Sequence, residues 1–141
     1  MKELFGTVRT ALIATGDWKY IDANDGQLES GDDFALLPCA LIDLNEIPWE
    51  AGDETYQMGM ASFSVEYAYR KLANGSNLTA DKSYKTVMGR FDTVKKATAA
   101  LIGKSGTLHG RINRMRTERV KHKDYWIVKE SYLCTMAESF N

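Results

Sequence analysis

At 141 residues, 44% of them hydrophobic and only two of them proline, the chain has the make-up of one folded domain with a core, and not that of a disordered tail or a disulfide scaffold. The formal net charge of −1 hides a division: residues 1–56 hold three basic and twelve acidic residues, and residues 57–141 hold fifteen basic and seven acidic ones. No run approaches the roughly 18 consecutive apolar residues of a helical membrane span, and Arg9 interrupts the apolar N-terminus, which argues against a secretory signal.

Leu4, Val8 and Leu12 recur four apart with Phe5 and Ile13 beside them, which predicts an amphipathic helix over residues 2–14 closed by Gly16. The run DWKYIDA reads as a short strand of weak pattern, and NDGQLESGDD as turns. FALLPCALIDLNEIP predicts a more apolar strand, in which Pro38 implies an edge, a bulge or the strand start. Within QMGMASFSVEYAYR, Ala61, Phe63, Val65, Tyr67 and Tyr69 alternate with Ser62, Ser64 and Glu66, the period of a half-buried strand.

Residues 71–91 lack a sustained period and read as a flexible loop. Asp92 or Thr93 is then expected to cap a helix whose Val94, Ala97, Leu101 and Ile102 face the core, with Gly103 ending it. Leu108–Lys123 and the run from Tyr125 read as two long strands of a C-terminal hairpin. The expected class is α+β: a single domain over 1–141, with one antiparallel sheet and two helices on one face.

Catalytic and metal patterns fail one by one. The Gly-Lys-Ser of Gly103–Ser105 lacks the glycine that a phosphate-binding loop needs five residues earlier, where Thr98 stands. His109 and His122 are far apart in sequence, without ligand spacing, and read as exposed strand or turn residues. Cys39 and Cys134 sit in apolar runs, where burial would leave their thiols inert. No catalytic, metal-binding or cofactor-binding residue is assigned, and a non-enzymatic protein is expected.

The stretch from Leu108 to Asp124 carries six Arg and Lys, and as a strand it would expose charge on both faces. Its end is therefore expected to project beyond the sheet as a solvated arm. Three readings stay open for it: a solvated strand, a protein contact, or a nucleic-acid site, the last lacking interleaved aromatics for stacking. Trp49, in the acidic run EIPWEAGD, is either an interface anchor or a ring folded over the core edge.

The order of elements, the segment LLPCALIDLNEIPWEAGDETYQMGMASFSVEYAYR and the final basic-then-aromatic hairpin resemble the phage tail terminator, or tail completion, proteins. That resemblance covers most of residues 2–137 and rests on layout rather than on a catalytic string. It implies a structural role in the tail or neck of a virion assembled in the host cytoplasm. A ring, usually of six copies, would end the tail tube and join it to the head connector. The tube protein and connector are the implied partners, with weak contact to passing DNA, no membrane and no cofactor. Asp32, Asp33, Glu50, Asp53 and Glu54 of one copy would then face Arg111, Arg114, Arg116 and Arg119 of the next, a pairing inferred from charge alone, with Trp49 a further interface residue beside the acidic set. The alternatives are a small nucleic-acid-binding domain using residues 108–123, or another phage connector.

Overall fold

A computed structural model describes residues 1–31, 34–72 and 80–140 of the chain. The elements run α1 (Lys2–Thr15), β1 (Tyr20–Ala23), β2 (Cys39–Glu46), β3 (Tyr56–Arg70), α2 (Ala80–Leu101), β4 (Asn113–Lys121) and β5 (Tyr125–Ser139). One five-stranded sheet is ordered β1-β2-β3-β5-β4. β3 and β5 form its centre, paired antiparallel without interruption from Tyr56↔Ser139 to Arg70↔Tyr125. The class is α+β, as expected.

The sheet is mixed, however, and not wholly antiparallel: β1 pairs parallel with β2, Tyr20 opposite Cys39 and Ala23 opposite Ile42. A parallel neighbour requires the chain to return to its starting end before the next strand. Here the return is a loop rather than a helix, and it buries Leu28 and Leu37, with Phe34 partly buried, against Cys39, Leu41, Ala68, Tyr125 and Ile127. The face opposite the helices thus has its own small core.

The main core lies on the helix side. Leu4, Val8 and Leu12 of α1 are wholly buried, each worth roughly 1.5–3 kcal/mol of apolar transfer. They meet Val94, Ala97 and Leu101 of α2 and the alternating Ala61, Phe63, Val65 and Tyr67 of β3. Phe63 stacks on Tyr132 of β5 at 5.1 Å between ring centres, and the Tyr132 hydroxyl lies 2.9 Å from that of Thr98, tying α2 to the sheet. Gly16 ends α1 at φ 74°, its N–H donating to the Ile13 carbonyl.

Four further expectations need correction. Residues 80–91 belong to α2, so the loop predicted over 71–91 is shorter, and residues 73–79 lie outside the described residues. Asp92 and Thr93 are consequently inside the helix, where the Thr93 hydroxyl donates to the Gly89 carbonyl instead of capping. The period was hidden because the early turns bury little: Val87 and Phe91 are only partly covered, and Tyr84 and Met88 are exposed.

The basic strand forms no projecting arm. β4 is bonded to β5 along its whole length, Asn113 opposite Leu133 and Lys121 opposite Trp126. A register shift between Arg114 and Arg116 re-phases the strand, placing Arg116 and Glu118 on one face and Arg114, Arg119 and Lys121 on the other. His109 is buried rather than exposed, its Nε2 3.1 Å from the Thr7 hydroxyl and its Nδ1 2.8 Å from the Gly110 carbonyl.

Gly59 is required by a close approach. A Cβ there would stand 2.7 Å from the Trp49 ring and 2.8 Å from the Pro48 carbonyl oxygen. Gly59→Ala should therefore cost about 1–3 kcal/mol in urea unfolding. Gly89→Ala, in α2 with open space around its Cβ, should instead add about 0.5–1 kcal/mol.

Candidate interaction surfaces

The described residues contain no group of three or more His, Cys, Asp or Glu arranged to hold a metal. Burial pushes the thiols of Cys39 and Cys134 up to about 12 and about 11, so neither is a thiolate nucleophile near neutral pH. Gly103, at φ 82°, caps α2 and donates its N–H to the Ile112 carbonyl, a helix-end role rather than a phosphate cradle. The surface charge is strongly polarised.

The β3–β5 register defines two ends of the sheet, one at Arg70 and Tyr125 and the other at Tyr56 and Ser139. Near the first lie Lys19, whose N–H bonds the Pro38 carbonyl, and Lys71, whose Nζ donates to the His122 carbonyl at 2.9 Å. Arg90, Arg119, Lys121 and Lys123 belong to the same end, with Asp124 in the hairpin turn. The second end carries Glu46, Glu50, Asp53, Glu54, Glu138 and Glu3, diluted by Lys2, Lys104 and Arg111. The acidic and basic halves of the sequence thus become, in large part, two poles of one molecule.

The acidic pole is a stiff hairpin. Asp53 accepts hydrogen bonds from the Thr55 N–H at 2.8 Å, the Thr55 hydroxyl at 2.9 Å and the Tyr56 N–H at 2.9 Å. These bonds, the Thr55 N–H first, hold its carboxyl below the ordinary aspartate range. Asp53 therefore spends its charge on the turn, whereas the side chains of Glu50 and Glu54 are exposed. Trp49 is half-buried, packed over Gly59 at the edge of the main core. Asp32 and Asp33 lie outside the described residues.

The four predicted arginines differ in their surroundings. Arg116 lies 3.2 Å from Glu118 and Arg114 3.9 Å from the buried Glu130, while Arg111 is exposed. Arg119 sets its guanidinium over the Trp126 ring, 4.4 Å from the centroid, and donates Nε–H to the Ile127 carbonyl. None of the four meets Glu50, Asp53 or Glu54 within the chain.

Sequence reasoning missed Arg90, which lies in the stretch read as loop. Its guanidinium lies over Tyr69 at 4.8 Å and Trp126 at 5.4 Å, and its Nη2 donates to the Arg70 carbonyl. Its Nη1 is buried without a hydrogen-bond partner among the described residues. Only knowledge that residues 80–101 are one helix, with Phe91 turned to Trp126, would have singled it out.

Neither a family model nor a curated protein matches the chain. Among solved structures, a chain of the structure titled "Virion of native gene transfer agent (GTA) particle" superimposes with a TM-score of 0.51 at 16% identity. The match covers 96% of this chain and 92% of that one. The two chains share a fold.

One buried group makes the surface chemistry testable. Glu130 is 2% exposed, and burial pushes its carboxyl above the ordinary 4.5, while the Thr117 hydroxyl and the Arg114 charge oppose the rise. The folded chain then takes up this proton at a higher pH than the unfolded chain. The stabilisation is full below 4.5 and is lost as pH rises through the elevated value. Compared with a Glu130→Gln variant, the wild-type protein should gain stability as pH falls from neutral, read by urea titration at each pH. A constant difference, or the opposite trend, would refute this account.

Proposed function

We propose that the chain is a non-enzymatic structural protein of a phage-like virion, and specifically a tail terminator. In this reading copies of the chain close into a ring, six in number by the family resemblance, which ends the tail tube and meets the head connector. The observation that carries the reading is the fold shared, over nearly the whole of both chains, with a chain from a virion particle.

The surface supports it by a separate route. A ring requires heterologous contacts, in which one patch meets a different patch on the next copy and rotation closes the set. Opposite charges at opposite ends of the β3–β5 pair supply two such patches, and complementary charge fixes register and approach. The tube protein and the head connector are the partners this role requires.

The alternative of a nucleic-acid-binding arm is less well supported. β4 is paired along its length, and Trp126 beside it is 6% exposed and so offers no open face for base stacking.

Native mass spectrometry over rising protein concentration at two salt levels tests the proposal. A discrete closed oligomer that loosens as salt rises is expected. A monomer at every concentration, even with purified tail tubes added, would overturn it.

A further inference from the structure

We propose that Arg90 and Arg119, gathered around Trp126, form a carboxylate receptor for a second copy of this chain, taking the hairpin that bears Glu50 and Glu54. The inference rests on the ring reading and names the contact through which it would close.

Two guanidinium groups share one indole here, at 5.4 Å and 4.4 Å from its centroid. Like charges brought together on a partly desolvated surface repel, and an anion removes that cost. Among the described residues no carboxylate forms an ion pair with either arginine. The Nη1 of Arg90 is enclosed and lacks a hydrogen-bond partner among the described residues, so the exposed Arg119 is the group that an incoming carboxylate meets first. Burial, together with the nearby Arg119, disfavours the charged form of Arg90, while Tyr69 favours it. The Tyr69, Phe91 and Trp126 rings pack edge to face beneath these groups and hold the arginine planes in position. An arginine fork fixed in this way suits the two oxygens of a carboxylate.

The occupant follows from what this chain itself presents. Glu50 and Glu54 are exposed, at the opposite end of β3, on a hairpin fixed by the Asp53 bonds and by the Glu50 N–H to the Met58 carbonyl. A rigid loop loses little entropy on docking. Receptor and hairpin lie too far apart along β3 to meet within one copy, so each must find its complement on another.

The test uses the full chain, with association read by sedimentation velocity and native mass spectrometry, and near-UV circular dichroism as the check on folding. Arg119→Gln and the double variant E50K/E54K alter exposed side chains and should weaken self-association about tenfold or more. A second pair sharpens the result: R90E/R119E has two acidic poles and E50K/E54K two basic ones. Each alone should stay monomeric, and an equimolar mixture should restore an alternating oligomer. If the wild type assembles and Arg119→Gln and E50K/E54K assemble equally well, the receptor is wrong and the ring reading stands. If the wild type never assembles, the ring reading falls and takes the receptor with it. Tight binding of short duplex DNA that Arg119→Gln abolishes would give the site to a phosphate backbone and overturn the assignment.

Discussion

β3 and β5 lie side by side for fifteen residues each, and their register determines which residues reach the core. A slip of one position would turn Phe63, Val65 and Tyr67 away from the helices and bring Ser64 and Glu66 inward. The exclusion of those polar groups from the main core is what fixes the pairing. The Phe63–Tyr132 stack and the Tyr132–Thr98 bond then seat α2, and α1 packs beside it. β2 and β4 add to the flanks of this pair, and β1 extends the sheet beyond β2. Loss of the central register would remove the surface on which both helices and both cores are built.

The same pair separates the charges. Because β3 and β5 are long and antiparallel, the β2–β3 connection and the β4–β5 turn fall at opposite ends of the sheet. The first is acidic and the second basic. The sequence asymmetry is thereby spread over the length of the molecule and not neutralised within it. Arg114 and Arg116 are exceptions, since each has a carboxylate beside it on the sheet.

Legibility in the sequence followed burial contrast. α1 was readable because Leu4, Val8 and Leu12 are buried on one face, Gly6, Arg9 and Thr10 are exposed, and Gly16 stops the helix. β3 was readable because its two faces meet different surroundings. The first half of α2 was not, because a helix that buries little leaves no periodic trace. The parallel β1–β2 pair has four residues, too few for a pattern, and depends on Leu28 and Leu37 in a loop that reads only as turns. β4 gave no alternation to read because both of its faces carry charge and nearly all of it is exposed. Glu50, Glu54 and Arg119 could be named from charge alone, but Arg90 could not, since its meaning comes from Trp126, distant in sequence.

β4 closes one margin of the sheet, with one side bonded to β5 and the other facing outward. An uncovered strand margin invites another chain to continue the ladder, the route by which sheet proteins aggregate. Here that margin bears Arg114, Arg116, Arg119 and Lys121. Two copies approaching margin to margin would bring like charges together and twist apart at the bulge. The cationic strand thus opposes the fusion of two copies into one continuous sheet.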